Sequence, residues 1–105
     1  MAQIPDAINQ IIRTYLAALR AAHIPIQHAF LFGSYAKGTY NEWSDIDLAV
    51  ISDAFEGRRI DDRHKLLPVT ISVSTLLEVL PYRPEDFTSA DPFVREILKT
   101  GLQIV

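Results

Sequence analysis

Residues 32–50 read FGSYAKGTYNEWSDIDLAV. A Gly-Ser pair follows one short apolar run, and an Asp-Ile-Asp triplet opens another. Ala29 to Phe32 is too short for a helix and ends at Gly33, which favours a buried strand. Gly33 to Asn41 is turn-rich, with room for one short helical turn, and Ile46 to Ile51 reads as a second strand. On a strand, side chains alternate between faces, so Asp45 and Asp47 point one way while Ile46 and Leu48 point the other.

Asp45 and Asp47 would stand about 6.5–7 Å apart at the backbone. Two ionised carboxylates so placed repel unless a cation sits between them. Their hard oxygens suit Mg²⁺ or Mn²⁺ better than zinc. Carboxylates that bridge two metal ions are the apparatus of phosphoryl and nucleotidyl transfer. Gly33 lets the main chain approach a ligand closely. Ser34 offers a hydroxyl to a phosphate oxygen or to a helix start. Taken singly, the triplet also suits a solvated strand end and the Gly-Ser pair a helix cap. Taken together, ten residues apart, they would set a triphosphate between amide donors and metal ions.

The flanking sequence points to α/β organisation. Ile4, Ile8, Ile11, Ile12, Tyr15, Leu19 and Ala22 recur at helical spacing, with Pro5 in the first turn and Pro25 marking the break. Arg58 to Thr75 is ambiguous: a helix kinked or tightened near Pro68 is favoured over a β-branched strand at Val69 to Val73. Leu76 to Leu80 reads as a strand closed by Pro81, and Pro84 to Phe87 as a loop or short helix. Asp91 caps a helix over Pro92 to Thr100, stopped by Gly101, and Leu102 to Val105 reads as a last short strand. The expected fold is α/β (α+β): a three- to four-stranded mixed sheet with helices packed on one side of it.

Composition narrows the function. The chain has 105 residues, 49% hydrophobic and 22% charged, which suits one globular domain, residues 1–105, with no second domain. Cysteine is absent, which excludes disulfides, thiolate metal sites and cysteine nucleophiles. A net charge of −3 argues against a bulk grip on nucleic acid. No apolar run is long enough for a membrane span. Met1 to Gln10 lacks the basic start and apolar core of a signal peptide, so a soluble cytoplasmic protein is expected. So small a core also invites a homo- or hetero-oligomer.

GSYAKG followed by SDIDLAV resembles the minimal nucleotidyltransferases of the DNA polymerase β-like superfamily. Their signature is Gly-Ser, ten residues, then Asp-x-Asp, matched here by Gly33, Ser34, Asp45 and Asp47. LFGSYAKG is similar to the family's LFGSxARG, with Lys37 where arginine is commoner. The family's third carboxylate is met by Glu78 in LEVLPYRPEDF, since no Asp lies between Asp62 and Asp86. The resemblance runs over about residues 8–105. It implies a polymerase β-like core that moves AMP from ATP to an acceptor and releases pyrophosphate. Asp45, Asp47 and Glu78 would hold two Mg²⁺ ions, and Gly33 and Ser34, helped by Lys37, the phosphates.

Minimal members pair with helical HEPN toxins in toxin–antitoxin modules, and some adenylylate the toxin at a tyrosine. The resemblance therefore implies an antitoxin that adenylylates a HEPN partner. A non-catalytic binding antitoxin and a small-molecule, antibiotic-type transferase are the alternatives.

Other residues carry weaker signals. Lys37 also suits a solvated loop. Tyr35 and Tyr40 suit packing more than a pocket, and Trp43 suits packing over the sheet edge more than stacking on a base. His23, His28 and His64 lack metal-ligand spacing. The mixed-sign run from Arg58 to Arg63 reads as a solvated face.

Overall fold

A computed structural model describes residues 4–105; the part of the N-terminal reading that concerns Met1 to Gln3 lies outside the described residues. Helix α1 spans Asp6–Ala21, with Pro5 as its N-cap rather than inside its first turn. Ile8, Ile12, Tyr15, Leu16 and Leu19 form its buried stripe. Ala22 is exposed beyond the helix end. The stop comes before Pro25. His23 takes φ 65°, and its N–H and that of Ile24 return to the Arg20 and Leu19 carbonyls, each at 3.0 Å. That is a Schellman closure, with Ile24 buried beside Leu19 and histidine where glycine is usual.

Strand β1 (His28–Phe32) leads through Gly33 into α2 (Ser34–Lys37) and on to β2 (Ile46–Ile51). Helix α3 (Arg59–Val73) carries the chain to β3 (Leu77–Tyr82). A 3₁₀ turn (Pro84–Asp86), α4 (Pro92–Thr100) and β4 (Leu102–Gln103) complete the order. The sheet runs β3-β2-β1-β4. β1 is antiparallel to β2 and β4, and β2 is parallel to β3. This is the expected mixed four-stranded α/β sheet.

Several boundaries differ from the sequence expectation. Pro81 lies inside β3 instead of closing it, which an edge strand tolerates because proline lacks only a donor. Pro68 lies inside α3, which stays helical throughout; Pro68 is exposed, so water can serve the carbonyl left without its partner. β4 stops at Gln103, although the Ile104 and Val105 N–H groups still bond the Ala29 carbonyl, at 2.8 and 3.3 Å.

The helices do not pack on one side. Ala29, Leu31, Ile46, Leu48, Val50, Leu77 and Val79 form one sheet face, buried with side chains of α1 and α3. Phe30, Ala49, Ile51 and Tyr82 form the other, buried under Val94 and Ile97 of α4. The physical reason lies in β2, whose IDLAVI run is apolar on both faces beyond Asp47 and must be covered on both. Across the first layer, the Tyr15 and Thr70 hydroxyls meet at 2.8 Å and tie α1 to α3. Burial pushes the Tyr15 hydroxyl up to about 12, so it stays protonated.

Asp62 corrects the expectation of a solvated run. It is 2% exposed and accepts the Glu56 and Gly57 N–H groups at 2.9 Å each, which fastens the β2–α3 loop. Trp43 corrects another, being 81% exposed rather than packed. Asn41 and Ser44 close a tight turn, with the Trp43 N–H on Asn41 Oδ1 at 2.8 Å and the Asn41 N–H on Ser44 Oγ at 2.9 Å. The turn carries the indole outward.

Candidate active site

The α4 face of the sheet carries the acids. Register puts Phe32 opposite Asp47 and Asp47 beside Glu78. Asp45 immediately precedes β2, whose entry is held by the Ile46 N–H on the Leu76 carbonyl at 2.8 Å. Gly33 follows Phe32 and so lies against Asp47. Its φ of 73° and ψ of −150° are open to glycine almost alone. A Cβ there would overlap Asp47 Oδ2 and lie 3.1 Å from its Cγ. Gly33 is thus required twice, by backbone angle and by the carboxylate seated on its Cα.

Gly33, not Ser34, caps α2. Ser34, the first residue of α2, is partly exposed. Its carbonyl takes the Thr39 N–H at 3.0 Å, and Gly38 closes the turn in the left-handed region at φ 77°. Lys37, the last residue of α2, is exposed and forms no ion pair among the described residues. Tyr35 is buried as packing, and Tyr40 stacks on it at 4.7 Å.

The electrostatics disfavour a charge on Asp47. Burial pushes the Asp47 carboxyl above the ordinary carboxylate range, and the negative charges of Asp45 and Glu78 push it further. Asp47 therefore lies within the field of both Asp45 and Glu78. As the side chains stand, though, no three acidic or imidazole groups among the described residues converge as a metal site. Glu78 is drawn aside, its Oε1 accepting Arg63 Nη2 at 2.9 Å. Both side chains of that pair are about half exposed, so the bond is cheap to exchange. Asp45, Asp47 and a released Glu78 would give the all-oxygen donor set that Mg²⁺ takes. The motif pointed to Gly33, Ser34, Asp45, Asp47 and Glu78. Arg63 was missed, because nothing in a mixed-charge helix announces a cross-element partner.

The nucleotidyltransferase domain family model matches residues 12–102. MJ1305 of Methanocaldococcus jannaschii, described as a candidate protein adenylyltransferase, is 62% identical over 86 residues. The match takes in 71% of this chain and 54% of that protein, so the chain spans about half the length of the curated relative it matches. Among solved structures, a toxin–antitoxin crystallised with AMP-PNP superposes with a TM-score of 0.61 at 27% identity, over 93% of this chain and 72% of that one. A nucleotidyltransferase candidate from Sulfolobus solfataricus shares the fold, with a TM-score of 0.54 at 22% identity, over 98% of this chain and 89% of that one. The span from 12 to 102 takes in the glycine loop and all three acids, and the chain belongs to the nucleotidyltransferase domain family.

Proposed function

We propose that this domain transfers AMP from ATP to a protein acceptor, a tyrosine of a HEPN-type toxin for which it serves as cytoplasmic antitoxin. In this proposal residues 1–105 work as one minimal nucleotidyltransferase unit. The observation that carries it is the seating of the Asp47 carboxylate on the Gly33 Cα, which joins the phosphate loop to the acid cluster. The adenylyltransferase description of the M. jannaschii relative and the toxin–antitoxin setting of the AMP-PNP structure support the choice of donor and acceptor.

The Gly33–Ser34 loop and Lys37 hold the β- and γ-phosphates. Asp45, Asp47 and Glu78, once Glu78 has left Arg63, would hold two Mg²⁺ ions. Bound there, such ions offset phosphate charge and stabilise the attacking and leaving oxygens. The tyrosine oxygen bonds to the α-phosphorus, the bond from that phosphorus to the α–β bridging oxygen breaks, and pyrophosphate departs with the electron pair. The tyrosine proton passes to Glu78 on the outer strand β3.

Incubation with α-labelled ATP and Mg²⁺, with and without the co-expressed helical partner, tests the proposal. Label on the partner that disappears in the Asp45→Asn, Asp47→Asn double variant is the expected result. A tight complex that never takes label would overturn catalysis and favour neutralisation by binding alone.

A further inference from the structure

Helix α3 buries one side and leaves an apolar stripe on the other. Ile60, Leu67 and Ile71 recur at spacings of seven and four, so they share one face of the helix. They are 73%, 47% and 60% exposed, whereas Leu66 on the inner side is buried. A groove of about 240 Å³ separates this helix from the outer strand β3. Leu67, Ile71, Leu77 and Val79 give it an apolar lining, and Arg63 and Glu78 line it as well. Glu78 belongs to the α4 face of the sheet and Arg63 to a helix on the other face. Their 2.9 Å bond therefore passes around the free edge of β3, where anything seated in the groove meets it.

The charge beside the stripe selects its occupant. Arg63 and His64 flank the stripe and are exposed. Neither acid of the same helix neutralises it: Asp61 lies towards Arg58, at 3.9 Å, and Asp62 is buried. The stretch from Ile60 to Ile71 is about 16 Å long. An occupant must cover apolar side chains over that length and bring Arg63 an acceptor. An amphipathic helix with a carboxylate beside its apolar stripe does both. A second copy of α3 would bring another arginine to Arg63. A nucleic acid would gain nothing from the isoleucines.

We infer that this groove docks an amphipathic helix of the protein acceptor, and that a carboxylate on that helix takes Arg63 and releases Glu78 to the acid cluster. Arg63 is then a positioning residue, which holds Glu78 aside until an acceptor is seated. Exchanging one carboxylate for another at a half-exposed guanidinium costs little, so burial of the stripe decides the direction. The inference rests on the transferase proposal, which needs Glu78 beside Asp45 and Asp47.

The test is binding of the co-expressed helical partner to the full chain, first without ATP or Mg²⁺. Ile60→Asp and Ile71→Ser each weaken the complex by about tenfold or more, as loss of an interface anchor does. Both leave Mg²⁺-dependent ATP binding unchanged. Glu78→Gln frees Arg63 and tightens the complex by about two- to fivefold, the range of an exposed ion pair. With Arg63→Ala in the same chain, that gain disappears. Mg²⁺ tightens the wild-type complex, and the partner raises Mg²⁺ affinity by the same factor, since coupling is reciprocal. Arg63→Ala abolishes both couplings. The substituted side chains are exposed, and thermal melts verify that the variants fold.

If the Ile60, Ile71 and Arg63 variants bind the partner as wild type does, or if no complex forms, the inference falls, while transfer of label to another acceptor would still uphold the transferase proposal. Equal tightening by Glu78→Gln with and without Arg63 also overturns it, since only repulsion would then be relieved. If Ile71→Ser instead dissolves a dimer of the chain alone in sedimentation, the occupant is a second copy and the inference falls. A complex that shows every coupling but never takes label from α-labelled ATP overturns the transferase proposal and leaves the docking groove and the Arg63 exchange in place.

Discussion

Gly33→Ala should damage the fold and the site together, in separable amounts. An alanine at φ 73°, ψ −150° costs about 1–3 kcal/mol in backbone strain. Its Cβ would also lie 3.1 Å from Asp47 Cγ, besides overlapping Oδ2, so the Asp47 carboxylate must swing aside. Forced repacking of that kind adds about 1 kcal/mol, the low end for overpacking. The sum of about 2–4 kcal/mol lowers Tm by about 10–25 °C for a domain of this size. In an Asp47→Ala background the carboxylate is gone, and the same substitution should cost only the backbone part. Urea denaturation of the four proteins in this double-mutant cycle measures the coupling, expected at about 1 kcal/mol. In the single variant, Mg²⁺-dependent ATP binding should be lost as Asp47 is displaced. Equal cost in both backgrounds would show that the glycine serves the backbone angle alone. A cost under about 0.5 kcal/mol would refute both parts.

The Asp45→Asn, Asp47→Asn double variant should fold, lose Mg²⁺-dependent triphosphate binding, and exceed wild type in stability without Mg²⁺ at neutral pH. Because the Asp47 carboxyl is raised in the fold, its stabilising share is complete below the ordinary carboxyl pKa and is lost as pH rises through the raised value. The variant's advantage should thus appear on going from acidic to neutral pH, read from urea midpoints, and Mg²⁺ should stabilise only wild type. Arg63→Ala should cost under about 1 kcal/mol, since its bond to Glu78 is half exposed. By freeing Glu78 it should tighten Mg²⁺ binding; calorimetry that shows weaker binding would contradict the placement of Glu78. His23→Gly should raise stability by about 0.5–1 kcal/mol in thermal melts, by relieving a left-handed histidine at the end of α1.

The geometry of the candidate site was largely legible because its parts are local. Gly33 to Asp47 lies in one short stretch, and strand alternation alone puts Asp45 and Asp47 together, opposite Ile46 and Leu48. Glu78 came from the pattern around LEVLPYRPEDF, and the register beside Asp47 gives it a place. Long-range features were harder. Asp91, Pro92 and Gly101 marked the Pro92–Thr100 helix but not which sheet face it covers, although IDLAVI, apolar on both faces, held that information. The mixed charge of the Arg58–Arg63 run hid Asp62, whose burial depends on two backbone N–H groups of the preceding loop. For Trp43, the expectation of packing yielded to the Asn41–Ser44 turn.

The sheet order has a consequence for how the molecule comes into being. β1 and β2 are close in sequence and antiparallel, so their pairing can form early and bring Gly33 to Asp47. β3 is parallel to β2 and can join only after α3 has carried the chain back across. A nascent chain therefore holds the Gly33–Ser34 loop and two acids before it holds the third. The repulsion that Glu78 exerts on Asp47 enters only at that late docking of β3. A divalent ion present at that moment would favour the pairing of β3 with β2, so that an ion able to bind these acids would also assist a step of folding.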